Sequence, residues 1–308
     1  MNQPAISVVI CAYTIERLRD IHEAVDSVLR QTYTLHEVIV AVDHNEELLR
    51  ILRAELPTGV KVVLNKSARG LSETRNVGIR SSAGEIVAFI DDDAVAERHW
   101  LDNLAMHYCD PEVVAVGGRA VPMWLDGGRP SWFPEELDWV VGCTYKGLPL
   151  NGNEVRNMIG CNMSFRRYSF EQAGFFTSKV GRIGKLQGVG EEAELCLRIK
   201  HSMLDACILY EPDAVIYHKV PSWRVTPKYL IQRSYNEGLY KTIVKKLSSN
   251  SSAEPLSTEN SYLHYLLFKA IPLRLGCFYC PWSLVEAGAI VASIVATGVG
   301  YVKGETSK

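Results

Sequence analysis

The first 90 residues alternate between short apolar runs and segments with a helical spacing of apolar residues. The apolar runs predict four strands, at Ile6–Cys11, Glu37–Val42, Val60–Leu64 and Ile86–Ile90. Continuous apolar runs of this kind are typical of parallel strands covered on both faces. The helical spacing predicts helices between the strands, at Ile21–Arg30, Glu46–Leu56 and Leu71–Ser81. This order predicts an α/β fold with a doubly wound, mostly parallel sheet.

The pattern is less regular in the second half of the chain. Residues 119–160 are rich in Trp, Pro and Gly and predict irregular structure. The segments beyond predict strands at Ile159–Arg166 and Ala206–Tyr217, a helix at Glu191–Met203, and a helix from Pro221 to about Leu247. A Ser-rich stretch at 248–260 predicts a hinge. We expect a catalytic domain at 1–220, a helical extension with the hinge at 221–260, and an apolar segment at 261–308.

The apolar run from Trp282 to Val302 contains one charged residue, Glu286. A helix that spans a bilayer needs about 20 apolar residues, and a buried core helix is the alternative. The aromatic residues Tyr279, Trp282 and Tyr301 at the margins, and the polar tail, favour a membrane-associating helical extension. Spanning the bilayer and lying in its interface both remain open.

Composition narrows the class of protein. The 308 residues carry a formal net charge of −2, which gives no electrostatic case for binding nucleic acid. The eight cysteines are scattered, mostly in apolar segments, and predict reduced, buried thiols and a cytoplasmic catalytic domain at the membrane. We interpret the isolated pair Cys277 and Cys280 as packing residues. The N-terminus does not have the pattern of a signal peptide.

Polar residues follow three of the predicted strands. Tyr13 comes after the first strand, Asp43 after the second, and Asp91, Asp92 and Asp93 after the fourth. In doubly wound sheets, ligands bind beyond the carboxyl ends of the strands, so we expect one shared site. Three adjacent carboxylates repel one another unless a divalent cation such as Mn²⁺ or Mg²⁺ binds between them. A solvated turn is the alternative, and the position after the buried run VAFI favours the metal.

These motifs also carry a family resemblance. The segments SVVICAY, SVLRQTY, EVIVAVD and ARGLSETRNVGIRSSAGEIVAFIDDD resemble the inverting nucleotide-sugar glycosyltransferases of family 2, over about residues 5–220. The resemblance implies a Rossmann-like GT-A fold, a UDP-sugar or other nucleotide-sugar donor, a divalent metal, and inversion at the anomeric carbon. VAVDHNEEL and the terminal GYVKG further resemble archaeal enzymes that extend dolichyl-phosphate-linked sugars in protein N-glycosylation. That resemblance implies a lipid-phosphate-linked saccharide as acceptor and glucuronic acid as the transferred sugar.

The resemblance implies roles for the residues of the donor side. Ala12, Tyr13 and Asp43 match the nucleoside pocket, where Tyr13 would stack on the base. A helix N-cap is the alternative role for Asp43. Arg75 would bind a phosphate or the base edge, because its guanidinium is always charged.

The implied metal site combines acids with a histidine. Asp91 matches the acid nearest the ribose, and Asp93 matches the principal metal ligand. Asp92 would assist either function. His218 matches a histidine that binds the metal or the diphosphate in the family, although an isolated histidine is often structural.

The motif GEEAELCLR provides the expected catalytic base. The family has Glu-Asp here and uses the second acid, so Glu192 is the expected base that takes the proton of the acceptor hydroxyl. Its side chain is one methylene longer than aspartate, which leaves Glu191 as the alternative. Acids in a first helical turn are also favoured by the helix dipole alone.

The remaining residues concern the acceptor and the sugar. Gly160 and Asn162 match the segment beside the donor sugar, and Trp223 and Arg224 are expected to form an acceptor lip. A uronate carboxylate needs a cation, and the unranked candidates are Arg166, Arg182 and Lys185.

The motifs also bear on three other functions. A transferase of bacterial lipid-linked polysaccharide synthesis is the alternative within the class. A non-catalytic nucleotide-sugar-binding scaffold would lack the base or the metal acids, and this chain has both sets. A nucleotidyltransferase would carry a Gly-rich phosphate loop after the first strand, which CAYTIER does not supply.

Overall fold

The first half of the sheet has the predicted alternation. The computed structural model describes residues 3–150, 153–177, 190–247, 257–277 and 279–306. Its first four strands are β1 (Ile6–Ala12), β2 (Glu37–Asp43), β3 (Val60–Asn65) and β4 (Ile86–Asp91). They are parallel, in the order β3-β2-β1-β4. The connecting helices are α1 (Leu18–Leu29), α2 (Glu46–Glu55) and α3 (Leu71–Ser81), which confirms the predicted α/β arrangement.

The second half of the sheet is mixed rather than mostly parallel. Its strands are β5 (Ala94–Ala96), β6 (Val113–Trp124), β7 (Asn162–Arg166) and β8 (Cys207–Val220). The full order is β3-β2-β1-β4-β7-β6-β8-β5. β7 is antiparallel to both β4 and β6, and β5 is antiparallel to β8, whereas β6 and β8 are parallel. Four of the seven strand pairings within the described residues are therefore parallel, three of them among the first four strands and one between β6 and β8.

Strand β6 was hidden from the sequence pattern by its glycines. Irregular structure was expected from residue 119, yet the strand continues to Trp124. At Gly118, an added Cβ would lie 2.1 Å from the carbonyl oxygen of Ala214, so β8 can approach only a glycine. The register of β6 on β8 shifts between Gly118 and Arg119, a bulge that the hydrophobic pattern does not show.

The later helices complete the fold. They are α4 (Trp100–Ala105), α5 (Arg167–Ala173), α6 (Glu191–Ser202), α7 (Pro227–Leu247), α8 (Ser257–Tyr265), α9 (Ile271–Gly276) and α10 (Pro281–Thr306). A 3₁₀ turn, Ser222–Arg224, precedes α7 and delays the helix predicted from Pro221. Of the predicted hinge, residues 248–256 lie outside the described residues. Residues 257–260 begin α8, so a hinge there is wrong: Glu259 is held by ion pairs to Arg156 and Lys241.

The core occupies both faces of the sheet. On β1, Val8 and Ile10 pack with α1 and α2, and Val9 packs on the opposite face with Phe89 of β4. All eight cysteines are free, in line with reduced thiols. Only Cys143, Cys161 and Cys196 are buried, so the expectation of mostly buried thiols is wrong. The others lie at element ends and edges.

The predicted apolar segment forms α10, which packs along α7 through small residues. The hydroxyls of Ser234 and Ser293 lie 2.9 Å apart. A Cβ on Gly300 would lie 2.0 Å from the carbonyl oxygen of Tyr235, so the two backbones are in direct contact. The opposite face of α10 is apolar and exposed. By length and composition α10 could cross a membrane, and only 28% of its most apolar window is buried, unlike a core helix.

Candidate active site

Two acids and a histidine meet where β4 and β8 end. Asp91 is the last residue of β4, and Asp93 immediately precedes β5. The antiparallel pairing of β5 with β8 places Ala94 opposite His218, and the Lys219 amide donates to the Asp93 carbonyl oxygen at 2.9 Å. As a result, ligand atoms of Asp91, Asp93 and His218 all lie within 4.8 Å of one another.

This group fits a divalent cation. It offers two carboxylate oxygens and one imidazole nitrogen, with His218 Nε2 3.3 Å from Asp93 Oδ1. Ligands about 2.1 Å from one ion lie up to about 4 Å apart, so small side-chain rotations would be enough to close the group around a metal. Carboxylates and imidazole are also a donor set that suits Mn²⁺ and Mg²⁺.

Two arginines neutralise the central acids. Arg17 contacts Asp92 Oδ1 through Nη1 at 2.5 Å and Asp93 Oδ2 through Nη2 at 3.0 Å. Arg224 Nη2 lies 3.6 Å from Asp93 Oδ2. Burial alone would raise the pKa of Asp93, but His218, Arg17 and Arg224 outweigh it and hold this pKa well below its usual range. Asp93 is therefore ionised and ready to bind a cation.

Asp92 has a different position from its two neighbours. It is buried and its Oδ1 accepts from Arg17, while Oδ2 has no partner among the described residues. Burial raises the pKa of Asp92, and Arg17 opposes the rise. Asp92 thus orients Arg17 beside Asp93, rather than reaching the metal group itself.

The sequence reasoning missed Arg17. This residue ends a 3₁₀ turn after β1, which begins with the Thr14 hydroxyl accepting from the Glu16 amide at 3.3 Å. The guanidinium also lies 5.6 Å from the ring centroid of Tyr13. A cation four residues after Tyr13 was the available signal, because both lie at the carboxyl end of the same strand.

The predicted nucleoside pocket lies at the ends of β1 and β2. Ala12 is buried and Tyr13 is exposed. Asp43 accepts from Asn65 Nδ2 at 2.9 Å and from the Gly70 amide at 3.1 Å. It does not cap α2, because Asn45 performs that role by accepting from the Leu48 amide at 2.9 Å. The carboxylate of Asp43 is instead held against the loop that leads into α3.

Arg75 connects the metal group to the two glutamates of α6. It is buried on α3, and its Nη2 lies 3.9 Å from Asp91 Oδ1. The same nitrogen donates to the Gly160 carbonyl at 3.0 Å, and Nη1 donates to Glu191 Oε1 at 2.9 Å. A guanidinium can bridge three acceptors because its donors are fixed in one plane.

Glu192 has the properties of a general base. Burial raises its pKa to about 7, Glu191 adds to the rise, and Arg75 opposes it. An added Cβ on Gly160 would lie 3.7 Å from Glu192 Oε2, so this carboxylate borders the glycine segment. A base with a pKa near the working pH combines availability with proton affinity. Glu191, which is paired with Arg75, is less suited to this task.

A cavity of about 640 Å³ extends from the metal group past Glu192 to the C-terminal helices. Its walls combine the sheet edge, the 3₁₀ segment Glu135–Val141 with the following Gly142, and parts of α7, α8 and α10. Residues from all three expected segments of the chain thus line one space. Such a cavity is large enough for a sugar and part of a second ligand.

The residues predicted on the acceptor side are in different surroundings. Gly160 and Arg224 line the cavity, whereas Trp223 is exposed outside it and packs edge-on against Tyr229. Asn162 is fully buried in β7: its amide accepts from Trp100 Nε1 and donates to the Arg119 and Ala214 carbonyls. This does not match a substrate-binding amide.

One of the three cations predicted to bind a uronate carboxylate lies within the described residues. Arg166 pairs with Ile86 at the start of β4, the opposite edge of the sheet from Asp91, and donates to the carbonyls of Val113 and Tyr108. It is therefore wrong as a ligand of the donor sugar. Arg182 and Lys185 lie outside the described residues.

Comparisons with known proteins agree with this geometry. The model of the family described as "Glycosyl transferase family 2" matches residues 7–174. A glucosyl-dolichyl phosphate glucuronosyltransferase of Haloferax volcanii is 36% identical over 305 residues, 97% of this chain and 96% of that protein.

Solved structures show the same fold. A mannosyltransferase from Pyrobaculum calidifontis, in complex with GDP-Man and Mn²⁺, has a TM-score of 0.60 and 20% identity, covering 100% of this chain and 89% of that one. TarS 1–349 of S. aureus with UDP has a TM-score of 0.52 and 16% identity, covering 88% and 75% of the two chains.

Proposed function

Because the chain belongs to glycosyltransferase family 2, we propose that it moves glucuronic acid from UDP-glucuronate to a glucosyl-dolichyl phosphate, with inversion at the anomeric carbon. The Haloferax volcanii relative is named a glucosyl-dolichyl phosphate glucuronosyltransferase, which supports the transferred sugar and the acceptor, and it aligns along nearly the whole of both chains. One observation carries the catalytic part of the proposal: Arg75 joins the metal group to the acidic start of α6.

On the donor side, Asp91, Asp93 and His218 would hold Mn²⁺ or Mg²⁺. When bound, the cation neutralises charge on a nucleoside diphosphate. Arg224 and Arg17 add positive charge beside Asp93, where negative charge grows on the leaving diphosphate. Tyr13 offers an exposed ring on which the base can stack.

On the acceptor side, Glu192 takes the proton of the attacking hydroxyl. Its high pKa favours proton capture at neutral pH. Arg75 holds Glu191 and the Gly160 carbonyl, and so fixes the wall on which the sugar lies. One displacement by the activated hydroxyl gives inversion.

The exposed face of α10 supports attachment to a membrane, with the catalytic domain on the cytoplasmic side. α7 runs alongside α10 and carries charged residues, among them Lys245, which pairs with Glu305 at 3.2 Å. A spanning α10 would draw these charges toward hydrocarbon, which is costly. We therefore infer that α10 lies in the interface, with Val295 and Val299 toward the acyl chains.

A donor screen tests the transferase. Purified chain is incubated with UDP-glucuronate, UDP-glucose, UDP-N-acetylglucosamine or GDP-mannose, with Mn²⁺ or Mg²⁺ and a short-chain glucosyl isoprenyl phosphate. We expect UDP release and a product heavier by one hexuronate only with UDP-glucuronate. Asp93→Ala should abolish it, while Asp26→Ala, at an exposed acid of α1, should not. Absence of release from every donor by a folded protein would favour a scaffold.

A further inference from the structure

We propose that the end of the cavity formed by α7 and α8 is a phosphate subsite, built from Arg233, Lys241 and Arg156, which binds the phosphate of the lipid-linked acceptor. This inference rests on the proposed function for the identity of the acceptor. The subsite itself follows from the charges, the donors and the neighbouring surface of the cavity.

The charges form one network at the cavity wall. Arg156 contacts Glu259 through both terminal nitrogens, at 2.5 and 2.7 Å. Lys241 Nζ lies 2.5 Å from Glu259 and 2.9 Å from Glu237, and Arg233 Nη1 lies 2.8 Å from Glu237. The cationic groups of Arg233, Lys241 and Arg156 thus lie close together around two carboxylates, in a largely buried place. All three cationic side chains line the cavity, so a phosphate that enters it can meet several charged donors at one wall.

Arg233 has donors to offer that anion. Its Nη1 donates to Glu237, and its Nε and Nη2 have no protein partner within the described part of the chain. The guanidinium also lies 5.5 Å from the ring centroid of Trp139, which lines the cavity and holds the guanidinium in place. Because arginine presents a planar fork, two adjacent donors match a phosphate ester.

The network lies close to the expected base. Arg156 is four residues before Gly160, which borders Glu192. Glu237 of the network and Glu192 line the same cavity, and, after burial and Glu191, Glu237 contributes to the raised pKa of Glu192. A monosaccharide acceptor carries its phosphate across one ring from the attacking hydroxyl, which matches a cationic group near the base but separate from it.

An apolar path leads from the network to the surface. Tyr262, Leu263 and Leu266 of the α8 region line the cavity. Leu263 is also 39% exposed, and Leu267 and Phe268 are exposed just beyond it. An isoprenoid chain esterified to the phosphate would leave the cavity along this apolar strip. Inorganic phosphate has no apolar group that could contact such a strip.

The experiment measures phosphate preference without any reaction. Full-length protein in detergent, with saturating UDP and Mn²⁺ at the donor end, is titrated by calorimetry with farnesyl phosphate, farnesol and inorganic phosphate. We expect farnesyl phosphate to bind at least about tenfold more tightly than farnesol, as charge-assisted hydrogen bonds predict. Inorganic phosphate should compete weakly. An equal affinity for farnesyl phosphate and farnesol would overturn the proposal. Full displacement of farnesyl phosphate by inorganic phosphate would overturn it as well.

Variants assign the preference to the network. Arg233→Gln should bring the two affinities within about threefold, and Arg233→Lys should restore part of the difference. Lys245→Gln is the matched control, because Lys245 lies on the same helix but pairs with Glu305 outside the cavity. If Arg233→Gln and Lys241→Gln are folded and keep the wild-type preference, the subsite is wrong.

The proposed function and the phosphate subsite are tested independently of each other. Asp93→Ala should lose UDP release and retain the farnesyl phosphate preference. Preference without transfer from any donor would contradict only the function, whereas transfer without preference would contradict only the subsite.

Discussion

Nη1 of Arg75 lies 2.9 Å from Oε1 of Glu191, so the first of two adjacent glutamates is the partner of a buried guanidinium. Both glutamates line the cavity, but burial raises the pKa of the second, Glu192, to about 7. One turn of α6 therefore places two similar side chains in different electrostatic surroundings. The predictions below begin with this difference.

Glu192→Gln should retain donor binding and lose transfer. General-base catalysis contributes about 10²–10⁴-fold, so kcat should fall by that factor. Glu191→Gln should instead destabilise the protein, because it weakens the pair with buried Arg75, and should reduce kcat much less. Steady-state kinetics and thermal unfolding of both variants check this. A larger kcat loss in Glu191→Gln would move the base to that residue.

The transfer rate should depend on the ionisation of Glu192. Burial raises its pKa to about 7, so the base is protonated and inactive at lower pH. We expect kcat to rise about tenfold per pH unit below pH 7 and to level off above it. The residual kcat of Glu192→Gln should not show this rise with pH. A flat wild-type profile between pH 5.5 and 8 would contradict the assignment.

Arg17→Ala should destabilise the protein more than a surface change. Arg17 pairs with Asp92 and Asp93, which are both buried, and breaking a buried pair costs about 3–5 kcal/mol. Mn²⁺ should recover part of the loss, because a bound cation compensates Asp93. Urea unfolding with and without Mn²⁺ measures both effects. Arg19→Ala, at a guanidinium that is 91% exposed, should change the free energy of unfolding by under about 0.5 kcal/mol.

Two glycines of α10 should respond to alanine with opposite signs. At Gly300 a Cβ would meet the carbonyl oxygen of Tyr235 at 2.0 Å, so Gly300→Ala should separate α7 from α10 and cost about 1–3 kcal/mol. A Cβ on Gly288 meets nothing within 4 Å, so Gly288→Ala should stabilise the helix by about 0.5–1 kcal/mol. Thermal unfolding distinguishes the two, and equal effects would argue against the close packing.

Glutamates on the exposed face of α10 should release the protein from membranes. Val295 and Val299 are one turn apart and exposed, so Val295→Glu with Val299→Glu puts two charges on the proposed contact face. We expect at least about tenfold less protein in the membrane pellet. Leu204→Glu, at a leucine that is 86% exposed between α6 and β8, should not change it. If the double variant pellets with membranes as the wild type does, the proposal that α10 lies in the membrane interface is wrong.

Sequence reasoning was strongest where one element determines the outcome. The apolar runs predicted the bounds of β1 to β4 to within one residue at each end. The acids that follow these strands predicted the sheet edge where Asp91 and Asp93 lie. It was weakest where distant elements meet. Arg17 became visible as a site residue only when the turn after β1 was placed beside Asp92. Asn162 looked available for substrate until the sheet surrounded its amide.

The C-terminal helices show the same limit. Apolar composition identified α10, but the pattern could not show that α7 would pack along it or that Glu286 would pair with Arg274 at 2.8 Å. Nor could spacing along the chain place Arg233 and Arg156 at one cavity wall, because α7 and the segment before β7 approach that wall from separate parts of the sequence.

The pairing of Asp93 with β8 sets a schedule for synthesis of the chain. The ribosome makes Asp93 soon after Arg17, but His218 emerges 125 residues later. Until then Arg17 and Arg75 are the cations of the site that are already synthesised, and the group of Asp91, Asp93 and His218 cannot assemble. A translation product that stops at residue 174, where the family match ends, would thus carry the acids without the imidazole.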